Sequence, residues 1–432
     1  MKLNYKRTIL IGFAFMAISA FWQVYDNIIP LILKYFFNMG DTLSGAIMAL
    51  DNVLALFMLP VFGAWSDKIN HRKGKRTPFI FVGTIMAVCL MMILPIAANS
   101  RNIVMFVVVL LLTLMAMGTF RSPAVSLMPD VTPKPLRSKG NAIINLMGAV
   151  GGVTALIMIM LLVGDGQTPD YSPLFMGIAI IMIISLMVLL TQVDENRFVA
   201  ERIAIEKEHG IEDEEEDDAE TALSGTAALP KDVKRSLTFL LLSVSFWFMA
   251  YNAVTTSFSK YATEMWGMEG GGFAGALMVA TVGAIASYMP VGIISSKIGR
   301  KKVILFGVAL MASCFAVGAL FKEPTFIINI VFALVGMAWA SINVNSYPMV
   351  VEMCKGSDIG KFTGMYYTFS MAAQVFTPIL SGIFLEHVGY WTLVPYAAVF
   401  AAIAFCTMLM VKHGDSRPDA PKGGLEAFDV VD

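Results

Sequence analysis

Residues 173–192 read PLFMGIAIIMIISLMVLLTQ, a run without a single charged side chain. A helix needs about 20 mostly apolar residues to cross the roughly 30 Å hydrocarbon core of a bilayer. We number this run span 6 of twelve, counted in chain order. The other eleven cover residues 8–33, 42–64, 78–98, 102–126, 140–163, 236–260, 271–294, 302–321, 325–348, 361–384 and 389–411. The pattern predicts an all-α membrane protein whose main partner is the lipid bilayer.

Composition agrees with this class. The 432 residues are 57% hydrophobic and 15% charged, whereas soluble domains usually carry about 25% charged residues. The four cysteines and four histidines are scattered without metal-ligand spacing, and the chain has no HExxH, GxSxG or P-loop motif. We therefore expect no metal, no other cofactor, no nucleic-acid partner and no enzymatic activity.

The basic residues are distributed unevenly between the two sides of the predicted membrane. With a cytoplasmic N-terminus, 27 of the 31 lysines and arginines fall in the inner segments. This bias is the one the positive-inside rule describes. It predicts a cytoplasmic (cell) membrane location with both termini in the cytoplasm, which requires an even number of spans.

A long polar segment, 193–235, divides the chain into two halves. We expect residues 1–192 and 236–411 to form two six-helix bundles, with 412–432 as a cytoplasmic tail. Residues 194–220 of the connector hold thirteen acidic side chains against three basic ones, which favours a solvated tether. Part of it, from about Glu195 to Glu208, could form a surface helix.

Short motifs recur in the same order in both halves. They are 21–27 (FWQVYDN) with 246–252 (FWFMAYN), 63–68 (GAWSDK) with 292–297 (GIISSK), and Asp130 with Glu352 at the ends of spans 4 and 10. Repeats at corresponding positions of two six-span halves are typical of transporters with two parallel halves.

Polar side chains are distributed by a rule of every third span. Spans 3, 6, 9 and 12 carry almost none, so we expect them to face lipid, and the remaining spans to surround a polar cavity. Aromatic rings beside amides and carboxylates suit a sugar, which has apolar ring faces and a rim of hydroxyls. Interfacial aromatic belts and hydrogen bonds between helices are the competing explanations. The candidate substrate-binding residues are Trp22, Gln23, Asp26, Asn27, Arg121, Trp247, Tyr251, Asn252, Trp339, Asn343, Tyr347, Tyr366 and Gln374.

One loop carries a family resemblance. Residues 63–79, GAWSDKINHRKGKRTPF, together with Leu50-Asp51-Asn52 and Arg121-Ser122-Pro123, resemble the major facilitator superfamily. Within it, the chain is similar to bacterial relatives of the sucrose–proton symporters, in the glycoside-pentoside-hexuronide cation symporter group. The resemblance implies two pseudo-symmetric six-helix bundles that rock about a central site, in a transporter that we expect to be monomeric. Melibiose-type carriers have a second acid where this chain has Ala55, which argues against their sodium site.

Two acidic residues are candidates for carrying a coupled proton, Asp51 and Asp26. Neither has a basic partner in its own helix, and a carboxylate inside a bilayer can exchange a proton near neutral pH. Charged residues at the inner ends of the spans are candidates for a cytoplasmic gate. The predicted gate consists of Gly63, Asp67, Arg76, Asp130, Arg137 and Glu352.

The sequence therefore favours a proton-coupled symporter of a disaccharide or other glycoside. An exporter of drugs or amphiphilic metabolites remains open, because 31 methionines suit an adaptable apolar surface. A membrane-embedded sensor that binds a solute without moving it is the third alternative.

Overall fold

The computed structural model describes residues 3–69, 71–209, 230–353 and 359–415. Within these ranges there are twelve helices long and apolar enough to cross a membrane, and no strand. The helices match the twelve predicted spans, so the predicted fold class is confirmed. They cover Tyr5–Phe36, Asp41–Lys68, Thr77–Asn99, Ile103–Val131, Lys139–Leu162, Ser172–Gln192, Lys231–Trp266, Ala274–Ile298, Arg300–Gly318, Phe326–Val351, Phe362–His387 and Tyr390–Leu409.

The helix ends follow local sequence signals. Asn4 and Asn102 each accept a hydrogen bond from the backbone N–H three residues later, at 3.1 and 3.0 Å, which caps spans 1 and 4. Pro30 lacks the N–H that would continue the ladder, and span 1 ends in a π-helical segment, Ile32–Phe36.

Contacts divide the chain into two compact units. The first contains the described residues up to His209, together with Thr255–Met278 and Pro378–Tyr390. The second contains the described parts of 210–254, 279–377 and 391–432. One end of spans 7 and 11 therefore belongs to the same unit as spans 1 to 6. The domain boundaries expected from the sequence stay a prediction.

The first unit combines close helix packing with an apolar surface. A Cβ added to Gly151 in span 5 would lie 2.1 Å from the carbonyl oxygen of Met16 in span 1, so these two backbones meet directly. Exposed apolar side chains recur along one face of span 6, with exposures of 49–59%: Met176, Ile180, Ile184 and Met187. Such a stripe suits contact with lipid.

Residues Glu195–Glu208 form a helix in the first unit, which we call the connector helix. The Arg7 guanidinium lies 3.9 Å from the centre of the Phe198 ring and pairs with Glu201. A hydrogen bond from Arg197 lowers the pKa of the Glu201 carboxyl. Residues 195–208 thus form the helix that the sequence allowed for, and these contacts anchor it to the first unit. The acidic run 212–218 and the tail from residue 416 lie outside the described residues.

Candidate functional site

Spans 1, 2 and 4 bring three ionisable side chains together in the first unit. We call Trp22, Asp26, Asp51 and Arg121 the Asp51 cluster. Asp51 lies within electrostatic range of both Asp26 and Arg121. The Arg121 guanidinium carbon lies 5.6 Å from the centre of the Trp22 ring. All four residues are half-buried, so the charges are partly shielded from solvent.

Neighbouring polar groups fix the Asp51 cluster in place. Asn52 Nδ2 donates to Asp51 Oδ1 at 2.8 Å. Tyr25, which is buried and packs edge-on against the Trp22 ring, donates from its hydroxyl to the carbonyl oxygen of Met48 at 3.1 Å. Span 1 is thereby tied to span 2 at the level where both acids lie, which limits the freedom of the carboxylates.

Gln23 and Asn27 form an amide pair on span 1. Asn27 Nδ2 donates to the backbone oxygen of Gln23 at 2.9 Å and lies 3.3 Å from its Oε1. Asn27 Oδ1 is buried and has no hydrogen-bond partner among the described residues. A buried acceptor without a partner is costly, so this oxygen is suited to accept a hydrogen bond from a bound solute.

Aromatic rings dominate the candidate residues of the second unit. The Tyr251 ring stacks on Trp339 with centroids 3.9 Å apart and an interplanar angle of 7°, and Phe248 meets Trp339 edge-on at 5.4 Å. Asn252 follows Tyr251 on span 7, where both are half-buried. We call these four residues the Trp339 cluster. It combines a flat apolar surface with an amide.

The remaining candidates of the second unit are hydrogen-bonded within spans 10 and 11. Tyr347 and Tyr366 meet at 5.6 Å between ring centroids, and their hydroxyls lie 3.0 Å from Thr363 Oγ1 and Ser346 Oγ, respectively. Gln374 Nε2 donates weakly to the Ser370 carbonyl, at 3.4 Å. Tyr366 and Asn343 are 2% and 7% exposed, which makes both core residues of this unit.

Two tryptophans occupy equivalent positions in the sequence repeat and share an unusual feature. The indole Nε1 atoms of Trp22 and Trp247 are both buried, and neither has a hydrogen-bond acceptor among the described residues. Buried indole N–H groups usually find a partner. Trp22 is half-buried, so its indole N–H is the better placed of the two to meet an oxygen-rich solute, whereas Trp247 is 0% exposed and belongs to the core of the second unit.

The predicted cytoplasmic gate centres on Arg76, which is only 4% exposed. Its Nε donates to Asp130 Oδ2 at 2.8 Å, one terminal nitrogen pairs with Asp67, and the other donates to the Gly63 carbonyl at 3.2 Å. We call Gly63, Asp67, Arg76 and Asp130 the Arg76 cluster. It joins the adjacent ends of spans 2, 3 and 4. Arg137 makes a different contact, a 3.4 Å hydrogen bond from Nε to the Thr132 carbonyl.

The second half contains a counterpart of this arrangement. Arg300 pairs with Glu352 at 2.9 Å, as Arg76 pairs with Asp130 at the same positions of the repeat. In the second unit, Ser295 Oγ donates to the Gly292 carbonyl at 3.0 Å, as Ser66 does to Gly63 at 2.8 Å in the first. The weak sequence repeat thus corresponds to repeated contacts.

The sequence model of the Major Facilitator Superfamily matches residues 11–286 and 270–428, which together span almost the whole chain. The chain belongs to the major facilitator superfamily. It is therefore a transporter and a multi-pass membrane protein rather than an enzyme.

Solved facilitator structures share its fold. The inward-open xylose transporter XylE from E. coli has a TM-score of 0.70 and 13% identity, covering 96% of this chain and 98% of that one. A point mutant of the nucleoside transporter NupG has a TM-score of 0.67 and 17% identity, covering 95% and 100%. At these identities the likeness concerns the fold alone.

Relatives by sequence match over shorter segments. The sucrose transport protein SUC3 of Arabidopsis thaliana is 26% identical over 146 residues, or 29% of this chain and 25% of that protein. The uncharacterised MFS-type transporter YfkL of Bacillus subtilis (strain 168) is 23% identical over 171 residues, or 39% and 42%. The matches thus cover about a quarter of SUC3 and less than half of YfkL.

The sequence did not reveal the side chains that hold the loops of this facilitator. Glu195, 1% exposed, accepts hydrogen bonds from the backbone N–H groups of Lys75, Arg76 and Thr77 at 2.8–2.9 Å. Asp415 likewise accepts from the N–H of Lys301 at 2.9 Å. A glycine with positive φ precedes each of these helix starts, Gly74 at 105° and Gly299 at 96°. That pair of glycines was the signal available in the sequence, since only glycine adopts such angles without cost.

Proposed function

We propose that this transporter carries a sugar, a disaccharide or other glycoside, across the cytoplasmic membrane together with a proton. The observation that supports the proposal most is the Asp51 cluster, in which two acids and an arginine lie beside an indole ring inside membrane spans. Charged residues at that depth are costly, and proteins retain them at solute and proton pathways.

A sugar is the solute class that these side chains suit best. The stacked Tyr251 and Trp339 rings offer a surface for an apolar ring face, while the Trp22 indole and the Asn27 amide offer hydrogen bonds to hydroxyls. The partial similarity to a sucrose transport protein, and the likeness in fold to a xylose transporter, agree with this class. We assign the remaining candidates to the same site, with Trp247, Tyr366 and Asn343 supporting their neighbours from the core.

The proton is the coupling ion that the acids favour. Asp51 exchanges the proton in this proposal, and Asp26 tunes it through their mutual repulsion. Arg121 stabilises the charged form of Asp51 when no proton is bound. Ala55 on span 2 provides no second carboxylate for a sodium ion.

Opening and closing at the cytoplasmic face are assigned to the Arg76 cluster and the Arg300–Glu352 pair. In these charge pairs the arginine is largely buried and the acid is partly exposed, so each pair can be joined or parted and suits a gate. The orientation is part of the proposal: both termini and the connector helix are cytoplasmic, and the functional unit is the monomer.

Uptake by the purified full chain in sealed liposomes tests the proposal. A panel of labelled glycosides and lipophilic cations is offered with an inward proton gradient and again after a protonophore removes it. We expect gradient-dependent accumulation of at least one glycoside, with protein-free liposomes as control. Accumulation of the lipophilic compounds alone, in a parallel arm with an outward proton gradient, would favour a proton-exchanging exporter, and glycoside binding without flux would favour the sensor.

A further inference from the structure

Spans 1, 2, 7, 11 and 12 meet in a group of charged side chains within the first unit, at the opposite end of span 2 from Asp67. Asp41 and Lys260 form its centre, where Lys260 Nζ donates to Asp41 Oδ1 at 2.6 Å. Lys260 is only 3% exposed and Asp41 only 7%. The Tyr390 hydroxyl donates to Asp41 Oδ2. We call these three residues the Asp41 latch. No role assigned so far involves them.

Further charges surround the Asp41 latch. Lys34 Nζ lies 3.9 Å from the centre of the Tyr390 ring and pairs with Glu264 Oε1 at 3.0 Å. Glu386 Oε2 accepts a hydrogen bond from the N–H of Thr42 at 2.8 Å. Ion pairs and hydrogen bonds thereby join residues from the first half of the sequence to residues from the second half.

The helices that carry the latch also touch through bare backbone. A Cβ added to Gly45 would lie 2.0 Å from the carbonyl oxygen of Pro378, and one added to Gly382 would lie 2.5 Å from that of Asp41. Spans 2 and 11 therefore meet without interlocking side chains at these points. Such surfaces separate and rejoin without any side-chain rearrangement, unlike a packed core.

We propose that the Asp41 latch holds the extracytoplasmic end of the transporter closed and must break in every transport cycle. A transporter with two parallel halves opens to each side in turn, and contacts between the halves at one end cannot be permanent. A buried ion pair suits this role, because it is stable while joined and costly when only one partner remains buried. When the ends part, water solvates both charges and removes that cost.

A thiol behind the latch reports on its opening. Ser44 lies one turn inward from Asp41 and is 0% exposed, so Ser44→Cys is reached by reagent only when the end opens. The background replaces the four native cysteines by serine, and a membrane-impermeant maleimide is added to intact cells. Gln167→Cys, exposed in the loop between spans 5 and 6, is the accessible reference.

We expect Asp41→Asn to raise the labelling rate of Ser44→Cys at least tenfold. The Asp41→Lys/Lys260→Asp double variant should return it towards the starting rate, because the pair is restored with reversed charges. Asp170→Asn, a change to an exposed acid in the same loop as Gln167, should leave the rate within twofold. The readout needs no solute, so it is independent of the proposed sugar and proton.

Gly382→Ala provides a second test that leaves every charge in place. Its methyl group would push span 11 away from the Asp41 backbone and should also accelerate labelling. Unchanged labelling in both Asp41→Asn and Gly382→Ala, while Gln167→Cys reacts readily, would overturn the proposal. So would a double charge reversal that labels as fast as Asp41→Asn in protein that still elutes as a single folded species.

Discussion

At the scale of single residues, Asp51 is the acid of the candidate site with the most polar and charged neighbours. Its carboxylate lies on span 2 with an amide at 2.8 Å, an arginine in electrostatic range and a second acid nearby. Loss or gain of one proton therefore changes the charge balance of the entire Asp51 cluster. A solute that contacts Arg121 or Asp26 can shift that balance.

Asp51→Asn is expected to abolish uphill, gradient-driven accumulation while preserving exchange of labelled for unlabelled solute at equal concentrations. Asparagine keeps the size and the hydrogen bonds of the side chain but cannot release a proton. Both rates are measured in the same liposome preparation, with Asp170→Asn as a matched control at an exposed acid. Full accumulation by Asp51→Asn would move the proton site elsewhere.

Trp22→Phe tests whether the unpartnered indole N–H binds solute. A neutral hydrogen bond contributes about 0.5–1.5 kcal/mol, so we expect KM to rise about three- to tenfold with little change in the maximal rate. Trp391→Phe, at an exposed tryptophan, serves as control. Equal KM values for the two variants would exclude this role for Trp22.

Individual site residues could be predicted from the sequence where a charged side chain interrupts an apolar membrane span. A charge within an apolar run, as at Asp26, Asp51 or Arg121, is visible in the sequence because it is rare there. The sequence could not show that Tyr366 is buried in the core while Tyr251 is half-buried and stacks on Trp339, since both are aromatic residues at helical spacing. That difference depends on tertiary packing.

At the scale of elements, the connector helix links the end of one bundle to the loop between spans 2 and 3. Glu195 accepts three backbone hydrogen bonds at the start of span 3 and one from the Thr77 hydroxyl at 2.7 Å. These groups belong to a helix start, where N–H donors lack partners within the helix and the dipole favours a carboxylate. The connector helix thereby positions Arg76 for Asp67 and Asp130.

Glu195→Ala should loosen the loop that contains Arg76, because several N–H groups lose their acceptor and each costs about 1–3 kcal/mol when left unsatisfied. We expect faster tryptic cleavage at Lys73 and Lys75 in detergent-solubilised protein and a lower apparent unfolding temperature. Glu208→Ala removes an exposed acid from the same helix and serves as control. Identical cleavage in the two variants would show that Glu195 does not hold the loop.

Elements were predictable to the extent that hydrophobicity determines them. All twelve spans follow from apolar length, because the bilayer leaves a helix as the only way to satisfy their backbone groups. The connector helix was harder to predict, since its polar sequence also suits a solvated tether. Its anchors, Arg7 with Glu201 and Lys134 with Glu206, join residues far apart in the chain.

At the scale of the whole molecule, the two halves repeat one design. Each places an arginine–carboxylate pair after its second span, Arg76–Asp130 and Arg300–Glu352, and each caps the following helix with an acid from beyond its sixth span. The halves differ in the side chains of their candidate sites, because the Asp51 cluster is charged and the Trp339 cluster is aromatic. We infer that coupling depends on the first half and that stacking on the solute depends on the second.

The most direct test of proton-coupled sugar transport uses a glycoside gradient and no imposed proton gradient. The glycoside identified in the uptake panel is added outside weakly buffered liposomes that contain the purified chain and a trapped pH indicator, while isotope counting follows its uptake in parallel. We predict acidification of the interior that rises with glycoside uptake and is absent in Asp51→Asn. Glycoside uptake at the wild-type rate without any change of internal pH would contradict the proposal.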